Sequence, residues 1–155
     1  MTATAYAQPK FLLNWLGKKK VDLSADTLKL GLIASGTLAV RGTSEGYETV
    51  SDLLANGGSA LTESSGTGYS RLSLSGVTWT LSGLVATLTA SNPSYTSPSF
   101  TYKYGWIHDE TASSSTDATR PLLVLIDFAA TLTATGASYP LAVDPSGLLT
   151  LTASA

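Results

Sequence analysis

From residue 66 onward, apolar and polar positions alternate with a period of two. Leu72 and Leu74 are separated by serines, and Val77, Trp79 and Leu81 alternate with threonines and Ser82. Leu84, Ala86 and Leu88 then lie opposite Val85, Thr87 and Thr89. This period predicts a series of half-buried strands. Phe100, Tyr102, Tyr104 and Trp106 share one face of a further strand, with Lys103 and Ile107 on the other. Residues 122–128 are almost all apolar, the pattern of a central strand buried on both faces. The chain then predicts a hairpin. Tyr139, Leu141 and Val143 lead into Asp144-Pro145-Ser146-Gly147, whose residue types fit a type I turn, and residues 148–152 return.

The first third reads differently. Pro9 suits a first helical turn, and Phe11, Leu12, Trp15 and Leu16 form one apolar stripe. Gly17 is the expected left-handed cap, and Lys18, Lys19 and Lys20 fall where cations favour the helix's negative end. Leu28, Leu30 and Leu32 alternate with Lys29, Gly31 and Ile33, a strand over 27–34. A second short helix is expected at 50–55, with Thr49 and Asp52 as a capping pair and Gly57-Gly58 as its stop. Together these elements predict a mostly β protein. It is an antiparallel β-sandwich or jelly-roll-like barrel with a short N-terminal helix and a possible second short helix. One domain over 1–155 is expected, with the helix at about 8–17 and the β-rich body at about 26–154.

Composition explains how such strands meet water. Of the 155 residues only 13% are charged, with 9 Lys+Arg against 11 Asp+Glu, a net of −2. That is about half the usual share. In their place stand 22 Thr and 21 Ser. Threonine favours strands while its hydroxyl tolerates solvent, so the polar faces are hydroxyl faces. Zero Cys excludes disulfide scaffolds and thiolate sites, and one His excludes His-rich metal sites. Nine cations are too few for nucleic acid to be the main partner. No cationic stretch precedes an apolar run at the start, and the longest apolar run, 121–132, is too short to span a membrane. The expectation is a protein made in the cytoplasm with no membrane partner.

Three patterns carry candidate chemistry. Gly42-Thr43-Ser44-Glu45-Gly46 matches the G-x-S-x-G nucleophile elbow, and Ser44, Asp52 and His108 could be ordered as a triad. The surroundings read instead as a Gly/Ser/Thr surface loop without βαβ units. His108, Asp109 and Glu110 gather the one imidazole with two carboxylates, and Asp109, Glu110 and Asp117 could offer oxygen ligands to calcium. The competing reading is a strand end running into an exposed loop at 111–119. The aromatic face could stack on a sugar or a base, with Tyr95 beside it. Core packing is the expected role, and a subunit interface is the alternative. No cofactor and no catalytic set is expected.

Several segments in order resemble one group of proteins. They are the N-terminal helix with Lys10, Leu13 and Gly17; Asp26-Thr27-Leu28-Lys29-Leu30-Gly31-Leu32; Gly66-Thr67-Gly68-Tyr69; and Val77-Thr78-Trp79. Tyr104-Gly105-Trp106-Ile107-His108-Asp109, Pro121-Leu122-Leu123 with Ile126-Asp127-Phe128, and Asp144-Pro145-Ser146-Gly147-Leu148-Leu149-Thr150-Leu151 follow. The set resembles small virion structural proteins of tailed bacteriophages, the head decoration or minor capsid proteins. The resemblance implies a non-enzymatic virion component and a homotrimer. The leading expectation is a capsid-surface protein that binds the major capsid protein. The alternative is a tail, neck or fibre-associated protein or a carbohydrate- or receptor-binding β-module, since similar small β-proteins also occur in tails and necks. The contact surfaces expected on this reading are Phe11, Trp15, Lys18, Lys19 and Lys20 on the helix, and Tyr102, Tyr104 and Trp106 on the aromatic strand.

Overall fold

The computed structural model describes residues 4–7, 9–38, 46–111, 116–143 and 147–152. Its elements follow in chain order: β1 (Thr4–Ala7), α1 (Pro9–Gly17), β2 (Leu28–Leu38), α2 (Val50–Asn56), β3 (Gly58–Glu63), β4 (Leu72–Ser73) and β5 (Thr78–Ser82). Then come β6 (Val85–Thr89), β7 (Ser94–Thr96), β8 (Ser99–Asp109), β9 (Leu122–Thr135), β10 (Ser138–Pro140) and β11 (Leu149–Thr152). The protein is mostly β, its strand pairs are antiparallel, and two short helices accompany them.

A central sheet runs β1-β9-β8-β2-β3, with β4 also paired to β2. Leu28, Leu30, Leu32, Ile107 and Val124 belong to one core, where Leu12 of α1, Leu88, Tyr95 and Leu149 cover them. That cover includes a three-stranded sheet, β11-β6-β5, and a two-stranded one, β10-β7. Sheet against sheet makes this half a sandwich. Ile33, Tyr104, Trp106, Leu122 and Leu125 belong to a second core, closed by Tyr47 and by Val50 and Leu53 of α2.

α2 forms where its cap residues place it. Thr49 Oγ1 accepts from the Asp52 amide at 3.2 Å, and Asp52 Oδ2 accepts from the Glu48 amide at 3.0 Å. The α1 terminus differs from expectation. The left-handed residue is Lys19 (φ +53), and Gly17 is not left-handed. The Lys19 amide donates to Leu16 O and the Lys20 amide to Trp15 O, the two bonds of a Schellman closure. The helical turn continues through Lys18, which bonds Asn14 O, so the closure falls two residues later than a glycine would have set it.

Two further expectations are corrected. The aromatic strand does not keep one face. Tyr104 opposes Asp127 and Tyr102 opposes Leu132, so residues 128–131 of β9 loop out opposite Lys103 alone. Asp127 Oδ1 holds this bulge by accepting from the Ala129 amide at 2.7 Å, with Ala129 at φ +64. Phe100 and Tyr102 therefore enter the first core, and Tyr104 and Trp106 the second. The closing segments are not a hairpin either. β10 pairs with β7 and β11 with β6, so both arms lie along the 85–96 segment rather than on each other. The Leu141 amide donates to Pro93 O and the Val143 amide to Asn92 Oδ1, which holds the first arm there. Asp144, Pro145 and Ser146 lie outside the described residues.

Candidate functional site

The densest polar chemistry sits beside Trp106, at the end of the second core. Gly31 stands opposite Trp106 across the β2–β8 ladder. A Cβ on Gly31 would come far inside contact distance of three indole carbons, so only glycine leaves room for the ring against β2. The Arg71 guanidinium covers the same indole, 5.1 Å from its ring centre, a cation–π arrangement.

Arg71 then grips two carboxylates. Nε and Nη2 donate to Glu63 at 2.8 and 2.7 Å, and Nη1 and Nη2 donate to Asp117 at 2.5 and 2.8 Å. Asp117 also accepts from Arg120 Nη1 at 2.6 Å, and Arg120 reaches Glu110 through Nη2 at 2.8 Å and Nε at 2.7 Å. Lys29 closes the series on Glu110 at 3.3 Å. Tyr69 donates to Glu63 at 2.8 Å and accepts from the Leu32 amide at 3.1 Å. Three cations and three anions thus neutralise one another across β2, β3, the approach to β4, the end of β8 and the loop before β9.

The loop is pinned from a second side. The first amides of α2 donate outward, Val50 to Arg120 O and Ser51 to Asp117 O. A helix start leaves such donors without intrahelical partners, and here the loop carbonyls meet them. The backbone of α2 therefore positions Asp117 and Arg120 for the ion pairs.

His108 lies under the network with no exposed surface. Its Nδ1 accepts from Trp106 Nε1 at 3.1 Å, which leaves the proton on Nε2 to be donated to Glu110 Oε2 at 3.2 Å. Burial pushes the imidazole down to about 4, and the Arg71 and Arg120 charges act in the same direction against the pull of Glu110. His108 is neutral at neutral pH. Asp117 is lowered to about 2, mainly by its bonds to Arg71, which outweigh burial. Burial works to raise Glu110, but Arg120, His108 and Lys29 together hold it below the usual carboxylate range. For Arg71, burial opposes the charge, and Asp117 and Glu63 overcome it, so it is held above its ordinary value.

The sequence-predicted residues fall as follows. His108 and Asp109 form the end of β8, as the loop reading expected, and Thr111, Thr116, Ala118 and Thr119 beyond it are exposed. The two side chains themselves are enclosed, because β8 runs between β2 and β9. The three carboxylates of the calcium reading are each engaged by the protein's own donors. Asp109 accepts from the Thr111 amide at 2.6 Å, while Glu110 and Asp117 are drawn to the arginines. Among the described residues no group of His, Asp or Glu is arranged to hold a metal ion. Ser44 lies outside the described residues, and Asp52 is committed to capping α2. Tyr102, Tyr104 and Trp106 are 1%, 4% and 0% exposed, and Tyr95 is 1% exposed, so the aromatic platform presents no ring to a sugar or a partner. Trp15 is half-buried against the first core, and Lys18, Lys19 and Lys20 are exposed. The side chain of Phe11 lies outside the described residues. Among the described residues, no helix is long and apolar enough to cross a membrane.

Sequence reasoning missed Lys29, Glu63, Arg71 and Arg120. Their one available signal was scarcity. In a chain that meets solvent with hydroxyls, a charge beside a strand end invites a search for its partner. No protein-family model, curated protein or solved structure matches the chain.

Proposed function

We propose that this chain is a non-enzymatic structural protein of a tailed-phage virion, a decoration or minor capsid protein that binds and stabilises the head shell. The observation that carries the reading is the surface around the three-stranded sheet. Residues 72–102 contain no Asp, Glu, Lys or Arg, and β11 adds none. Thr78, Thr80, Leu81, Ser82 and Leu84 are exposed along β5 and the turn after it, so this surface presents hydroxyls and aliphatic groups. Many identical copies packed on a shell meet little like-charge repulsion through such a face. The ion-pair network supports the same reading from the other side of the protein. Its charges are spent on joining five segments of one chain, and the sole imidazole is enclosed and bonded at both nitrogens.

The partner on this reading is the major capsid protein, and the protein resides on the capsid surface. Purified protein added to particles that lack it should bind at regular positions on the head. Density for it along the tail, neck or fibres alone would overturn the head assignment.

A further inference from the structure

In the sheet β11-β6-β5, the far side of β5 has no partner strand among the described residues. Alternate backbone amides and carbonyls on an outer strand point away from the sheet and need water or another strand. Outer strands are usually blunted by charge, proline, a bulge or shortness. Arg71 directly precedes the two residues of β4, Glu63 ends β3, and β7 and β10 are three residues long with Pro140 in the second. β5 has none of these devices. Its five residues, Thr-Trp-Thr-Leu-Ser, pair with β6 in unbroken register and carry no charge.

A second observation lies next to it. Leu81 is 74% exposed, the most exposed of the large apolar side chains described. It stands two residues from Trp79 and so shares its face of the strand. Trp79 lines a groove of about 290 Å³ with Leu16, Val21, Leu23, Lys19 and Asp22.

We infer that β5 is a self-association edge, pairing antiparallel with β5 of a second copy about a two-fold axis at Thr80. The register follows from the side chains. Among two-fold pairings of this strand, centring on Thr80 is the one that sets Leu81 opposite Trp79. The exposed leucine of each copy then covers the tryptophan and groove of the other, and the contact is made twice. Thr78 meets Ser82, hydroxyl against hydroxyl, and Thr80 meets itself, so no like charges are opposed. Two identical edges consume each other, which closes the assembly at two copies. The two three-stranded sheets become one of six strands. This goes beyond the virion reading and stands on the edge alone. It assigns a two-fold contact where the resemblance implies a three-fold one.

The test is the mass of the full chain in solution by sedimentation and light scattering, without virus particles, so that its outcome is separate from that of the capsid-binding experiment. The wild type should run at twice its 16.0 kDa. Leu81→Lys should shift it to the monomer mass while circular dichroism and the unfolding midpoint of the diluted protein stay as in wild type. The chain has no cysteine, so single cysteines report the register. Oxidised Thr80→Cys should give a disulfide-linked dimer in several-fold higher yield than Leu13→Cys, an exposed control on α1. A wild-type monomer, a trimer, a dimer indifferent to Leu81→Lys, or equal cross-linking of the two cysteine variants would each overturn the inference.

Discussion

Around Trp106 six charged side chains saturate one another, whereas the three-stranded sheet packed on the opposite face of the central sheet carries no charge. The first region is directional: Arg71 satisfies Glu63 and Asp117 only while β3, the approach to β4 and the 116–120 loop keep their places. The second is held by burial, with Leu88 and Leu149 fully or nearly enclosed. Ion pairs of this kind recover a desolvation cost and respond to protons. Apolar burial does neither. The contrast teaches that six of the chain's 20 charged side chains are gathered where remote segments must be held together.

The largest expected effect lies in the uncharged region. Leu88 has no exposed surface and pairs with both Trp79 and Leu149. Leu88→Ala should cost about 3–4 kcal/mol of stability, the usual range for a buried leucine that leaves a cavity. No titrating group faces this loss, so the cost should be the same at pH 5 and pH 7.5 in urea unfolding. A cost that varied with pH would break the comparison.

Acid should act on the charged region. His108 stays neutral in the folded protein down to about pH 4, while the unfolded chain binds its proton near the ordinary 6.5. The unfolded state therefore holds more protons between these values, and stability falls as pH drops from about 6.5 to 4. At 1.36 kcal/mol per unit, the loss totals about 3 kcal/mol. Asp117, lowered to about 2, keeps its contribution above its ordinary 3.8 and loses it as pH falls through 2. His108→Gln, which retains a donor and an acceptor, should flatten the profile between pH 6.5 and 4. Unfolding midpoints measured at half-unit steps check the slope, and an unchanged slope would remove His108 as its source.

Removing the central cation should cost somewhat less. Arg71→Met keeps an apolar stem beside Trp106 but leaves Glu63 and Asp117 without their shared partner. The groups are partly screened, so the loss should lie between that of exposed and of fully buried pairs, about 2–3 kcal/mol. Combining it with Asp117→Asn should recover part of that loss. Additive effects in this double-mutant cycle would show that the two side chains are not coupled.

Much of the fold was legible because it is local. Thr49 and Asp52 announce α2 three residues apart, and the alternation of Val77 to Thr89 places β5 and β6. What could not be read was set elsewhere in the chain. The aromatic face splits because residues 128–131 bulge on a different strand, not because of anything in 100–106. The expected closing hairpin gave way because the 85–96 segment offers edges to both of its arms. The ion network joins Lys29, Glu63, Arg71, Glu110, Asp117 and Arg120, and only the sheet topology brings positions so far apart in sequence together. Local periodicity carries no information about such meetings.

The smallest effect sharpens the comparison at its border, where Lys19 lines the groove beside Trp79. An exposed cation outside the network should matter little, whereas the backbone it sits on should matter more. Lys19 holds the left-handed position of the α1 closure, which costs a side-chain-bearing residue about 1–2 kcal/mol. Glycine removes that cost and adds roughly 0.5–1 kcal/mol of backbone entropy loss on folding. Lys19→Gly should therefore stabilise the protein by about 0.5 kcal/mol, and Lys18→Gly, one residue earlier in a helical turn, should destabilise it by about as much. Paired denaturant titrations separate the two signs. If both substitutions destabilise, the Lys19 cation itself holds the helix end, and charge does contribute on the side of the protein where the sheet carries none.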